Sequence, residues 1–199
     1  MKKTVIIAAL GVAGMVVSSY GQGSIAFDTY NAQNFAGILT TYGNGPLAGQ
    51  GLDSTFTGEL LWSATPINDA ATTAGTAGSP LTDGWTVGST ALFDTGNAAG
   101  PGGIGYVSGP NLNISQAVGQ VLYFEIVAFN GADYASSTYS GHSAAFTATL
   151  ATGTTLPNAN QLNNLVPFSV FQVVPEPTTL ALAGLGGLAA LVAYRRKQA

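Results

Sequence analysis

The chain contains no cysteine. Disulfides, thiol catalysis and thiolate metal centres are therefore excluded. It contains one histidine, His142, and its five basic residues stand only at the ends: Lys2, Lys3, Arg195, Arg196 and Lys197. Charged residues make up 7% of the 199, against about 25% in an ordinary soluble domain. With no Lys or Arg between Thr4 and Tyr194, nucleic-acid binding through phosphate is disfavoured, because no cation can displace counterions. Lys or Arg ion pairs cannot hold this interior together, so apolar burial and backbone hydrogen bonds must. A single His without Cys argues against zinc. The acids lie six or more residues apart, and no D-x-[DN]-x-[DN]-G loop occurs, so no metal site and no cofactor is expected. A structural calcium ion held by oxygens alone is the alternative, with Asp94-Thr95-Gly96-Asn97 as its bare candidate; the segment otherwise reads as an Asx turn.

What the chain does have is apolar: 46% hydrophobic residues, 10% aromatic, enough for a core. Its two longest apolar runs adjoin the two basic clusters. Met1-Lys2-Lys3-Thr4 precedes an uncharged apolar stretch over residues 5–17, and Ser19 and Gly21 put small residues at −3 and −1. This pattern predicts a signal peptide over 1–21, cut by signal peptidase between Gly21 and Gln22 after delivery to the secretion machinery. At the other end, residues 178–194 carry no charge and are followed by Arg195, Arg196 and Lys197. As a helix this stretch would be about 25 Å long, close to the ~30 Å of a hydrocarbon core. The basic cluster is a stop-transfer signal that stays cytoplasmic by the positive-inside rule. Before the stretch stands Pro175-Glu176-Pro177. Each proline fixes its own φ and biases its predecessor away from helix, so Glu176 is presented on a stiff, extended spacer.

The three-part tail, with Pro175-Glu176-Pro177, a short apolar helix and a terminal basic cluster, resembles the PEP-CTERM protein-sorting signal. The resemblance covers about residues 174–199. It implies export in a Gram-negative bacterium and recognition of the tail by an exosortase, a membrane transpeptidase-like protease. The tail would then be a temporary membrane anchor, removed or exchanged after export, in the manner of other transient hydrophobic sorting tails. The implied location is a membrane-anchored precursor and then the cell surface or the extracellular space.

Between the processing sites, residues 22–174 hold eight acids and no Lys or Arg. Their periodicity reads as β throughout. The clearest strand is 121–129, in which Leu122, Phe124, Ile126 and Ala128 share one face. Val121, Tyr123, Glu125, Val127 and Phe129 share the other, with Glu125 expected at a margin. Further strands are expected at 24–30, 38–42, 55–63, 85–87, 90–94, 105–108, 144–150 and 168–173. Clusters such as Tyr42-Gly43-Asn44-Gly45-Pro46 read as turns, and residues 70–80 as a flexible surface loop. Many short strands without a helical period argue an all-β fold: a single β-sandwich-like domain between an N-terminal signal helix and a C-terminal transmembrane helix. A β-solenoid is the alternative, but no fixed repeat is present. The domains expected are thus 1–21, 22–174 and 175–199.

Motifs that suggest catalysis lack their context. Gly100-Pro101-Gly102-Gly103-Ile104-Gly105 matches G-x-G-x-x-G, but no helix follows to receive a pyrophosphate. Gly141-His142-Ser143 approaches a nucleophile elbow, yet neighbours in extended chain point to opposite faces, so His142 is badly placed as the base for Ser143. The segment reads as a turn entering strand 144–150. Glu59 and Glu125, or several of the Asp residues, could form a carboxylate pair for glycoside hydrolysis if about 5–10 Å apart. Trp62 and Trp85, expected in the core, and Tyr30, Tyr42, Tyr106, Tyr134 and Tyr139 could offer platforms to sugars. Asn113-Ile114-Ser115 has the form of a glycosylation sequon. The expectation is a non-enzymatic surface or extracellular-matrix protein of structural or interaction role. The alternatives are a carbohydrate-binding module acting in exopolysaccharide and, third, a glycoside-active enzyme.

Overall fold

A computed structural model describes residues 22–30, 32, 36–76, 81–93, 105–152, 162 and 164–173. The expected signal peptide with Gly21, the sorting motif Pro175-Glu176-Pro177, the expected transmembrane helix and the basic cluster Arg195-Arg196-Lys197 lie outside the described residues. So do Asp94-Thr95-Gly96-Asn97 and residues 100–104 of the glycine-rich match. Among the described residues no helix is long and apolar enough to cross a membrane.

The described chain is mostly β-sheet with almost no helix, an all-β fold. Ten strands follow in order: β1 (Gln22–Ile25), β2 (Thr41–Tyr42), β3 (Thr57–Ser63), β4 (Thr86–Leu92), β5 (Leu112–Ala117), β6 (Val121–Phe129), β7 (Tyr139–His142), β8 (Phe146–Thr149), β9 (Ala151–Thr152) and β10 (Ser169–Gln172). One sheet has the order β5-β1-β9. The other has the order β2-β10-β7-β6-β3-β4, with β8 also paired to β6. Only the β10–β2 pairing is parallel.

The longest strand, β6, is rich in β-branched and aromatic residues, and this suits it to the middle of the larger sheet. It pairs with β3 along its full length, from Thr57↔Phe129 to Ser63↔Tyr123. On its other side two short strands share it: β7 opposite Val127–Phe129 and β8 opposite Val121–Phe124. The predicted face assignment of β6 holds. Leu122, Phe124, Ile126 and Ala128 enter the main core with Leu60 of β3 and with Ile25, Leu112 and Ile114 of the smaller sheet. Both sheets thus contribute to one apolar cluster. Val127 and Phe129 face the other way and form a second, small cluster with Leu61, packed by Leu81, Trp85 and Tyr134.

Several expectations are corrected. The two strands expected at 85–87 and 90–94 are one strand over Thr86–Leu92, β4, which reads through Gly88 and Ser89 with a register shift opposite Leu60 and Leu61; Asp94 lies outside the described residues. Residues 105–108 form only isolated bridges. Strand β5 was hidden by its polar outward residues: Asn113 and Ser115 are exposed while Leu112 and Ile114 are buried. The sequon therefore lies in a strand. Residues 70–76 are not a free surface loop, because Thr72 is buried and bonded to strand β7. Of the Gly141-His142-Ser143 segment, expected as a turn, Gly141 and His142 are the end of β7 and Ser143 follows it. Glycine is needed at 141 because a Cβ there would lie 2.3 Å from the carbonyl oxygen of Ser169 on neighbouring β10. Gly105, last residue of the glycine-rich match, has φ 97° and bonds to Leu52 and Thr40, which gives it a purely architectural role.

Candidate functional site

The polar residues gather on the outer face of the larger sheet. Parity dictates this: Glu59 and Leu61 on β3 and Glu125, Val127 and Phe129 on β6 alternate with the core residues. Glu125 sits opposite Leu61 and is 0% exposed, so it is not marginal as the sequence suggested. Its cover comes from two connections that sequence periodicity left as loops. One joins β3 to β4 and carries Asp69, Thr72, Thr82 and Trp85; the other joins β6 to β7 and carries Tyr134.

His142, at the end of β7, supplies the partner. Its Nδ1 lies 3.2 Å from Oε1 of Glu125 and 3.0 Å from the carbonyl oxygen of Ser143, so one ring nitrogen serves two acceptors. Neither Glu125 oxygen gains a well-formed hydrogen bond, and the buried hydroxyls of Tyr134 and Ser140 are likewise unsatisfied. The Tyr134 ring stands edge-on to both Phe129 and His142, at 6.3 and 6.4 Å between centroids. Asp69 approaches from the loop. Its carboxylate accepts from the Thr82 hydroxyl, from the Thr82 amide at 3.3 Å and from Trp85 Nε1 at 3.1 Å.

The charge balance follows from these neighbours. Burial pushes the Glu125 carboxyl above its usual range; the His142 bond and charge oppose this, and Asp69 adds to it. Burial pulls the His142 imidazole down, but the bond and charge of Glu125, the Ser143 carbonyl and the charge of Asp69 hold it above its ordinary value. Burial raises Asp69, yet the donors Thr82 and Trp85 and the charge of His142 outweigh it and leave Asp69 lowered. Burial alone raises half-buried Glu59. It also raises Tyr134, against the hydroxyls of Thr72 and Ser140.

Ser143 is occupied elsewhere. Its hydroxyl accepts from the Ile126 amide at 3.1 Å and donates to the Ala144 carbonyl at 2.9 Å, while its own amide donates to Ile126 at 2.8 Å. It bridges the break between β7 and β8, where the register against β6 shifts by one residue. The carboxylate that meets Glu125 is Asp69, not Glu59. Trp62 is partly buried against the main core and Trp85 against the outer cluster. Tyr42 and Tyr139 pack edge-on with each other and Tyr42 with Phe56, within the core region, while Tyr30 and Tyr106 pair with one another.

Beside this cluster opens a groove of about 400 Å3, lined by Pro66, Ile67, Asn68, Tyr123, Ala145, Phe146, Thr147 and Asn164. None of these side chains is charged. Asn164 donates to the Thr147 carbonyl at 3.0 Å, which fixes one amide at the rim. Sequence reading missed both this groove and the cluster, because their residues come from segments far apart in the chain. The unaccompanied His142 was the one available signal.

No group of His, Asp, Glu or Cys among the described residues could hold a metal ion. Residues 173–197 match the model of the PEP-CTERM protein-sorting motif, at the C-terminus, as in an exosortase substrate. No curated protein and no solved structure matches the chain.

Proposed function

We propose that this is an exported protein of the cell surface or extracellular matrix with a structural or interaction role, delivered by an exosortase that reads Pro175-Glu176-Pro177. The match over residues 173–197 carries the reading. In it, a β-sandwich-like domain over 22–174 follows a signal peptide ending at Gly21, and the transmembrane helix held by Arg195, Arg196 and Lys197 is a transient anchor. We take the domain to be non-enzymatic, a reading supported by the pairing of buried His142 with Glu125 and by the backbone bond of the Ser143 hydroxyl. The test is to replace Pro175 and Pro177 with Ala and to define both termini of the exported protein by mass spectrometry. The double variant should still be exported and lose Met1–Gly21, while removal of the tail should slow severely. Tail processing at the wild-type rate would dismiss the motif as the recognition element.

The uncharged groove favours a second reading, a carbohydrate-binding module acting in exopolysaccharide. The partly buried ring of Tyr123 and the amides of Asn68 and Asn164 suit neutral, hydroxyl-rich ligands. Retention of neutral oligosaccharides on a glycan array separates the two readings.

A further inference from the structure

Between Thr4 and Tyr194 only His142 can carry positive charge near neutrality. The fold places it not at the surface but 3.2 Å from the carboxylate of Glu125 and within the field of Asp69, on another element. Glu125 is rigid, on the central strand of the sheet. Asp69 is carried by the β3–β4 connection, which this corner attaches to the sheet. The Thr72 amide donates to the His142 carbonyl at 3.0 Å, the His142 amide to the Thr72 hydroxyl at 2.6 Å, and the Ala145 amide to the Asp69 carbonyl at 2.9 Å. Residues 69–72 are thereby tied to the sheet where β7 gives way to β8.

We propose that Asp69, Glu125 and His142 form a proton-operated latch that seats the β3–β4 connection on the outer sheet face while His142 is protonated and releases it when that proton leaves. With the proton, one cation lies among two carboxylates. Without it, two carboxylates confront each other where little water screens them, and buried charge without a partner is costly. The other ionisable groups around the site are Glu59 on β3, Tyr123 on β6, Tyr134 and exposed Asp133 after β6, and exposed Asp83 before β4. Strand β4 offers none. None of them is a cation, so nothing replaces His142. Asp69 is the group that leaves, because it sits on the loop and is only partly buried. Its departure carries away Pro66–Asn68, one wall of the neighbouring groove, and uncovers Leu61, Val127 and Phe129. The groove's shape is thus tied to a proton outside it.

The direction follows from linkage. His142 is raised, so its contribution is complete below its unfolded value of about 6.5 and is lost as pH climbs through the higher folded value. Glu125 is also raised, so the folded state gains protons first and is favoured as pH falls from neutral towards about 4.3. Asp69 is lowered, so its contribution persists above about 3.9 and fails only in stronger acid. The latch is tightest in mild acid and opens on the alkaline side.

The test uses the full-length chain in detergent micelles. As the only histidine, His142 gives a single imidazole titration by NMR, expected above the ordinary value. Hydrogen exchange at Thr72 and Ala145, corrected for intrinsic rate, should lose protection by at least about tenfold between about pH 6 and about pH 9, the equivalent of one pKa unit. Amides of the β3–β6 ladder should change less. In E125Q, or in D69N, that loss should disappear. A His142 value at or below the ordinary one, constant wild-type protection, or an equal loss in either variant would overturn the latch. The wild-type measurements decide the matter alone if neither variant folds.

Discussion

The two faces of the larger sheet come from the same strands and differ by one residue in parity. Towards the core, Leu60, Phe124, Ile126 and Ala128 join the main apolar cluster. Away from it, Leu61, Val127 and Phe129 share the surface with Glu59, Glu125 and His142 under two loops. One face is held by burial, which is indifferent to pH. The other depends on the position of a proton. A chain with almost no charge has therefore concentrated its electrostatic sensitivity in a single interior cluster, and each face can be disturbed without the other.

The largest effect is expected on the inner side. Phe124→Ala should cost about 3–5 kcal/mol in denaturant unfolding, since a fully buried ring would leave a cavity. The cost should be the same in mild acid and mild alkali. Next, His142→Leu should cost about 3 kcal/mol by leaving Glu125 buried without its partner. Adding Glu125→Leu should restore most of that and flatten the pH dependence of the melting temperature. If the double variant is no better than the single one, the outer face is held by shape and not by charge pairing. The smallest change is Ser143→Ala, which strips a hydroxyl from the Ile126 amide at the strand break and should cost about 1–2 kcal/mol at any pH. A pH-dependent loss there would tie the break to the latch.

Alternation in 121–129 revealed β6 and both its faces in the sequence, because period two survives wherever a strand is central. It could not reveal how deeply Glu125 lies, since its cover comes from Asp69, Thr72, Trp85 and Tyr134, distant in sequence and without periodicity. Strand β7 escaped because Tyr139-Ser140-Gly141-His142 has turn-like composition. Its place is set by pairing to β6 and β10, and its glycine by the proximity of Ser169. The separation of His142 from the Ser143 hydroxyl was legible from adjacency alone. What His142 does instead was not, because no local rule connects it to Asp69, 73 positions earlier. The tail was the reverse case: a linear signal, read in full from its order of residues.

The interior placement of His142 also decides what neighbouring copies would encounter. Asp53, Asp83 and Asp133 are exposed, and the domain has no outward cation to answer them. Two such domains side by side on a cell would repel rather than adhere through charge. Their spacing would be elastic, set by the ions of the surrounding water. The repulsion reaches about 30 Å at 0.01 M salt but only about 10 Å at 0.1 M, so a coat of this protein would spread in dilute water and draw together in brine.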